Sequence, residues 1–312
     1  MTISYLVTHS GGFHADELLS SVVLTRLYPD ARIVRTRDEG WITPAAGRLI
    51  YDVGRDYDAA RGVFDHHQQQ NPLRPDGQPY SSFGLIWHHY GQDYLRSHSV
   101  PEADIAAIHD KMDQNCVLPI DLMDNGAVQP SVAGPLLSKL TLPVLLESLK
   151  PVFDDPDDGA EDRAFARALD IARTFVEAAV AGEAAKRRAD AMVKAAIQAA
   201  GAGRVLELPK GMPFRSAIKA AGADHLLFVV HPRATDWVLL GIRLGSDTFD
   251  QRADLPAAWA GLTAGALEAA SGVKGAKFCH NGLFIAVAST REAAMKMAEL
   301  AVEEAERTSP AA

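Results

Sequence analysis

Residues 3–27 read ISYLVTHSGGFHADELLSSVVLTRL. The apolar run from Ile3 to Val7 is followed by a glycine-rich loop, and then by a segment whose leucines and valines recur with helical spacing. This succession predicts a strand, a loop and a helix. Two further apolar runs, at residues 33–36 and 49–51, continue the alternation of strands and helices, which predicts an α/β fold with a parallel sheet.

The second half of the chain predicts a connector and another domain. After a Pro- and Asp-rich break at residues 151–159, residues 160–200 are rich in alanine and predict a long helix or a helix pair. Strand and helix patterns resume at Arg204. We therefore expect a first domain over residues 1–200, including the helical connector 160–200, and a smaller α/β domain over residues 204–312.

Composition excludes several classes of protein. The chain of 312 residues is 47% hydrophobic and 23% charged, which is typical of a folded globular protein. Its net charge of −9 argues against a broad basic face for nucleic acid. Only Cys116 and Cys279 are present, so a disulfide framework is excluded. The sequence shows neither a membrane-spanning run nor a signal peptide at its N-terminus, and a cytoplasmic location is predicted.

Imidazole and carboxylate side chains gather where the predicted strands end. They are His9, His14, Asp16, Asp52, Asp65, His66 and His67. The carboxyl ends of parallel strands share one edge of the sheet, so these side chains are expected to meet there. The pattern predicts a pair of divalent cations about 3.5–4 Å apart, which would activate a water and neutralise charge on a phosphoester.

The adjacent residues His66 and His67 cannot readily bind one ion from regular backbone. We expect His66 to bind metal and His67 to contact a phosphoryl oxygen, while Asp65 orients an imidazole. Asp52 is the predicted bridging ligand, because Val53 and Gly54 leave room for its carboxylate to project into the crevice.

Asp121 and Asp124 lie three residues apart on a predicted helix, and one or both could complete the second metal site. Mixed carboxylate and imidazole ligation favours manganese, with magnesium, cobalt, iron and zinc as alternatives.

Three segments resemble the melanocyte-proliferating-gene exonuclease family, a branch of the DHH phosphoesterases. They are THSGGFHADE (8–17), DVG (52–54) and FDHHQ (64–68). Other segments are similar to the family as well, namely SSFGLIW (81–87), IDLMDNG (120–126), KGMPFR (210–215), FDQR (249–252), WAGL (259–262) and FCH (278–280).

The resemblance implies a DHH-like parallel-sheet domain with helices on both faces and a C-terminal domain that closes over the cleft. It implies metal ligation by His9, His14, Asp16, Asp52, His66 and Asp121 or Asp124, and a substrate contact by His67. It adds phosphate or sugar contacts by Lys210, Arg215, Arg252 and His280. The first motif departs from other DHH branches, since it carries His14 where Asp is usual and has one extra loop residue.

The leading functional hypothesis is a two-metal phosphodiesterase, a 3′-to-5′ exonuclease or oligonucleotidase that acts on RNA or short single strands. The alternative substrate is a small phosphorylated molecule such as a nucleotide, a cyclic dinucleotide or pyrophosphate, which the acidic composition favours. A third hypothesis is a metal-binding protein without turnover, and the retention of His67 argues against it. No membrane partner is expected, and the sequence leaves a homo-oligomer open.

Overall fold

The computed structural model describes residues 2–128, 137–155, 157–245 and 248–308. The chain divides into two compact units, residues 1–184 and 185–312. Each unit combines one five-stranded sheet with helices, so the predicted α/β class is confirmed.

The sheet of the first unit is parallel except at one edge. Its strands are β1 (Tyr5–Thr8), β2 (Arg32–Arg35), β3 (Arg48–Tyr51), β4 (Tyr57–Asp58) and β5 (Val63–Phe64). Their spatial order is β2-β1-β3-β5-β4, and only β4 is antiparallel to its neighbour. Because the chain moves from β1 to β2 on one side and to β3 on the other, the strand order reverses beside β1, where a crevice forms at the carboxyl ends of the strands.

Alternate residues of these strands enter two different cores, as the period of two in a strand requires. Leu6, Tyr51 and Phe64 belong to the large cluster that packs under the main helices. Val7 and Ile50 point to the opposite face, where a smaller cluster includes Trp41 and Ile42 of a short helix. Helices therefore cover both faces, but very unequally.

The helices of the first unit are α1 (Ala15–Leu27), α2 (Glu39–Ile42), α3 (Ser82–Ser97), α4 (Glu102–Met112), α5 (Leu118–Asp124), α6 (Leu142–Glu147) and the beginning of α7 (Ala160–Ala200). A π-helical turn, Asp113–Val117, joins α4 to α5. Pro119 lies in the first turn of α5, where the missing N–H carries no cost. Every residue of α1 from Ala15 to Leu24 is buried, so its acidic first turn lies inside the unit.

The second unit has a mostly antiparallel sheet with the order β6-β7-β8-β10-β9. Its strands are β6 (Val205–Glu207), β7 (Phe228–Pro232), β8 (Trp237–Gly241), β9 (Ala276–Cys279) and β10 (Ile285–Ala288), and only β6 and β7 are parallel. Its helices are α8 (Arg215–Ala220), α9 (Ala264–Ser271) and α10 (Arg291–Thr308). Neighbouring residues of β7 again enter different cores, with Val230 in the cluster of α10 and Val229 in the cluster of α8.

Among the residues that the structure describes, none of the helices combines the length and the apolar character needed to cross a membrane.

Candidate metal centre

Asp52 and His9 follow the adjacent strands β3 and β1 at the carboxyl edge of the sheet. The backbone of Asp52 is left-handed, with φ of 54°, and Gly54 follows with φ of 109°. A left-handed aspartate is uncommon, and this turn directs its carboxylate inward, where the residue is 3% exposed. The turn therefore holds Asp52 in a fixed position above the crevice.

The Asp52 carboxylate faces two imidazoles through different oxygens. Its Oδ2 lies 3.2 Å from His9 Nε2, and its Oδ1 lies 3.3 Å from His66 Nε2. The other ring nitrogen of His9 donates to the backbone oxygen of Ser10 at 3.1 Å, which leaves Nε2 for the crevice. The Asp52 carboxylate thus lies between the two imidazoles, with one oxygen directed to each.

Asp16, His66 and Asp124 form one possible ligand group beside Asp52, since their ligand atoms lie within 4.8 Å of one another. His66 Nε2 is 3.2 Å from Asp124 Oδ2 and 3.8 Å from Asp16 Oδ2. Ser82, at the start of α3, donates from Oγ to Asp16 Oδ2 at 2.8 Å and fixes that carboxylate.

His9, His14 and Glu17 form a second possible ligand group, whose ligand atoms also lie within 4.8 Å of one another. Glu17 Oε1 lies 3.1 Å from His9 Nε2, and Glu17 is completely buried. Glu17 is not among the site residues that the sequence predicts, although it stands next to Asp16. Its position in the first turn of a helix is also typical of a capping residue, and its carboxylate does accept the backbone N–H of His14 at 2.9 Å.

Several buried polar atoms of this cluster have no hydrogen-bond partner within the described residues. They are Asp16 Oδ1, Asp52 Oδ1 and His66 Nε2. Buried polar atoms are normally satisfied, so these three point to ligands such as metal ions. The donor set of carboxylate oxygens and imidazole nitrogens fits divalent cations.

Burial and the short distances between these charged groups shift their pKa values. Burial and the charge of Asp52 raise the pKa of Asp16, and burial raises the pKa of Glu17 to about 8. Burial and the charge of Asp16 raise the pKa of Asp124 to about 9. Burial alone would lower the pKa of His9, but Asp52 and Glu17 raise it to about 10. The cluster holds more negative charge than its protein surroundings stabilise, which bound cations would offset.

Asp65 lies beside His67 and belongs to none of the possible ligand groups among the described residues, whereas His67 forms one such group with Asp52 and His66. Asp65 Oδ1 accepts a hydrogen bond from His67 Nδ1 at 2.8 Å, and its Oδ2 accepts the backbone N–H of Arg55 at 2.5 Å. The His67 side chain is 56% exposed and lines the crevice. His67 Nδ1 also lies 3.6 Å from Asp52 Oδ1.

The two aspartates of α5 have different partners. Asp124 reaches the cluster, whereas Asp121 is completely buried in a different network. Asp121 Oδ2 is 2.6 Å from Arg74 Nη2, and Asp121 Oδ1 accepts the Oγ–H of Ser81 at 2.6 Å. Asp121 belongs to none of the ligand groups found among the described residues.

The four substrate contacts predicted in the second unit have different local surroundings. Arg252 donates to the backbone oxygens of Ala223 and Leu226 at 2.9 and 3.0 Å and pairs with Asp224, so its guanidinium is engaged within the unit.

The other three residues are less constrained. Lys210 and Arg215 are exposed. His280 follows β9, and its Nδ1 accepts the backbone N–H of Gly282 at 2.9 Å.

A cleft of about 1120 Å³ opens onto the cluster within the first unit. The metal-centre residues on its surface are His9, His14, Asp52, Asp65, His67 and Asp124.

Residues 5–302 match the profile of MYG1_exonuc, which is described as an uncharacterised protein family (UPF0160). The MYG1 exonuclease of Homo sapiens is 31% identical over 317 residues, which cover 93% of this chain and 84% of the human protein. The MYG1 exonuclease of Rattus norvegicus is 32% identical, with coverage of 97% and 85%. A MYG1 protein of Saccharomyces cerevisiae is 30% identical, with coverage of 95% of both chains.

The solved structures of RecJ resemble the structure of this chain only weakly. RecJ from Thermus thermophilus in complex with Mg²⁺ has a TM-score of 0.28 at 14% identity, and this chain covers 50% of its length. Exonuclease RecJ bound to manganese has a TM-score of 0.25 at 16% identity, and here this chain covers 91% of that length. The family match spans nearly the whole sequence and includes the residues that converge on Asp52. This chain belongs to the MYG1 exonuclease family.

Proposed function

We propose that this protein is a phosphodiesterase that shortens RNA or short single strands from the 3′ end. It would use two divalent cations, with manganese as the preferred metal. The convergence on Asp52 is the observation that carries the proposal. Two distant imidazoles face its two oxygens. Its own Oδ1 and two neighbouring buried polar atoms lack hydrogen-bond partners within the described residues. The names of the mammalian relatives support exonuclease activity.

Each group of ligands would hold one ion. His9, His14 and Glu17 would bind the first, while Asp16, His66 and Asp124 would bind the second, and Asp52 would bridge them. Bound cations in such a pair lower the pKa of a water and neutralise phosphate charge. We assign no ligand role to Asp121, because Arg74 and Ser81 occupy its carboxylate.

His67 is the proposed contact to the phosphoryl oxygen. Its Nδ1 donates to Asp65, and this hydrogen bond raises the pKa of the ring, so that the protonated imidazolium can donate from Nε2 to a substrate in the cleft. Asp65 fixes the orientation of this ring and also ties down the turn at Arg55. Asp65 is thus a positioning residue rather than a proton donor or acceptor in the reaction.

The direct test is the shortening of a labelled oligoribonucleotide by the purified full chain in manganese. A label at the 5′ end should give a ladder of shortened products, whereas a label at the 3′ end should be released as a mononucleotide at once. Asn tolerates the left-handed conformation of residue 52, so Asp52→Asn should fold normally and lose about 10³-fold in rate, or ~4 kcal/mol. Absence of shortening with manganese, magnesium, cobalt and zinc would refute the proposal, as would full activity of Asp52→Asn.

A small phosphorylated molecule is the second candidate substrate. The net charge of −9 favours it, because long nucleic acids are usually held by basic surfaces. Rates on a mononucleotide, a dinucleotide and a hexanucleotide separate the two candidates. A preference for the mononucleotide would favour the second.

A further inference from the structure

The cleft is larger than a single phosphoester requires. Its volume of about 1120 Å³ lies beyond the roughly 300–1,000 Å³ of ordinary small-ligand sites. The residues of the candidate metal centre form only part of its lining, and most of the rest comes from the segment around α2 and from the turn after Asp52. Room therefore remains for groups on either side of a bound phosphate.

Two arginines line this remaining part of the cleft. Arg37 follows β2, and its Nε donates to the backbone oxygen of Ser10 at 3.3 Å, next to the ligand His9. Arg55 lies three residues after Asp52, and its backbone is left-handed with φ of 53°. The hydrogen bond from its N–H to Asp65 fixes that backbone. The side chain of Arg37 is thus tied to the loop after His9, and the backbone of Arg55 is tied to Asp65.

Neither guanidinium forms an ion pair with a carboxylate of the described part of the chain. The acidic residues of the cleft are mostly engaged elsewhere. Asp56 pairs with Arg61 at 3.7 Å, Asp65 accepts from His67, and Asp52 and Asp124 belong to the metal centre. Glu39 is the remaining carboxylate of the lining, so positive charge prevails on this wall.

Apolar surface lies along the same wall. Ile42 and Pro44 come from the end of α2 and the loop after it, and Val53 comes from the turn between Asp52 and Arg55. Guanidinium groups beside apolar side chains suit a nucleotide, whose phosphate is charged and whose sugar and base bury apolar surface.

We infer that Arg37 and Arg55 form a second phosphate subsite, which binds the nucleotide adjacent to the scissile phosphodiester and makes the protein prefer substrates with at least two phosphates. The inference rests on the proposed phosphodiesterase function and extends it, because it identifies what selects an oligonucleotide over a smaller ester. Neither arginine contacts the reacting phosphate, and both increase the affinity of the protein for the substrate.

The test compares two substrates and three single variants of the full chain in manganese. The substrates are a hexaribonucleotide and bis(p-nitrophenyl) phosphate, a phosphodiester without a second phosphate. Arg37→Met and Arg55→Met remove the charge and keep an unbranched side chain. Arg167→Met is the matched control, since Arg167 is an exposed residue of α7 that does not line the cleft.

Arg37→Met and Arg55→Met should each raise KM for the hexaribonucleotide about tenfold, leave kcat within twofold, and leave the rate on bis(p-nitrophenyl) phosphate unchanged. Each should also reduce the slope of log(kcat/KM) against log[salt] by about 0.7, as expected for the loss of one phosphate contact. The control should change none of these values. An unchanged KM, or equal losses on both substrates, would overturn the inference while leaving the proposed function in place.

A binding measurement keeps the inference testable without turnover. Fluorescence anisotropy of a labelled hexaribonucleotide with Asp52→Asn protein in manganese should show about tenfold weaker binding when either arginine is replaced. Wild-type protein that hydrolyses neither substrate would refute the proposed function, whereas equal binding by the Asp52→Asn protein with and without the arginines would refute the subsite.

Discussion

Arg74 and Asp121 form a buried ion pair, with 2.6 Å between Nη2 and Oδ2. The Arg74 side chain is 7% exposed and also binds Asp113, at 2.7 Å, in the π-helical turn before α5. Asp121 in turn accepts the backbone N–H and the Oγ–H of Ser81 at the start of α3. The pair therefore fixes α5, and with it the position of Asp124 beside His66 in the candidate metal centre.

Arg74→Met should destabilise the protein by ~3–5 kcal/mol, because it leaves the carboxylate of Asp121 buried without its counterion. It should also weaken the binding of the ion held by Asp124. Urea unfolding measures the first effect, and isothermal titration with manganese measures the second. A double-mutant cycle with Asp121→Asn should give a coupling energy above about 1 kcal/mol, and additive effects would contradict the linkage.

Gly84→Ala should disturb the same network from the side of α3. A Cβ at Gly84 would collide with both carboxylate oxygens of Asp121, so Asp121 would have to leave its partners. We expect a loss of stability of several kcal/mol, measured by urea unfolding. Gly182→Ala on α7 is the matched control, since a Cβ there meets no atom within 4 Å and should stabilise the helix by ~0.5–1 kcal/mol. Equal effects of the two substitutions would contradict the collision.

The convergence of His9 and Asp52 could be predicted from the sequence because it follows from a simple rule. Both residues come directly after apolar runs of strand length, and neighbouring parallel strands bring their carboxyl ends to one edge. The bounds of β4 and β5 could not be predicted, because these strands have two residues each, which is too short for any periodicity to appear.

The rest of the candidate site depends on tertiary contacts. Asp121 and Asp124 look equivalent on one helix face. Asp121 is engaged elsewhere by Arg74, forty-seven positions earlier, and by Ser81, forty positions earlier. Glu17 serves both as a capping residue and as a neighbour of His9, and the sequence shows only the first of these patterns. Arg37 and Arg55 belong to no motif, and only the folded chain brings them to one cleft.

Metal-free protein should lose stability as the pH rises from about 5 to 9. The pKa of Glu17 is raised to about 8 and that of Asp124 to about 9, first of all by burial, whereas both groups titrate near 4 in the unfolded chain. The folded state therefore binds more protons over this range, and its stability falls with rising pH. The raised pKa of His9 acts in the same direction.

Manganese should abolish this pH dependence, because cations replace the protons. Melting temperatures at pH 5, 7 and 9, in EDTA and in manganese at about 100 times its Kd, measure the effect, and saturation should add ~2.7 kcal/mol for each ion bound. Asp124→Asn should flatten the curve in EDTA. A melting temperature that rises with pH in EDTA would contradict the raised pKa values of these buried carboxyl groups.

His66→Ala and His67→Ala should have different consequences although the residues are adjacent. His66 Nε2 is buried among Asp16, Asp52 and Asp124, so its loss should remove one ion and nearly all activity. The His67 side chain is 56% exposed, and Asp65 holds its Nδ1. His67→Ala should therefore keep both ions and lose about 10²–10³-fold in kcat, the effect of removing one hydrogen-bond donor to a developing charge. Metal content after desalting, measured together with kcat, separates the two roles, and loss of an ion from His67→Ala would make His67 a ligand instead.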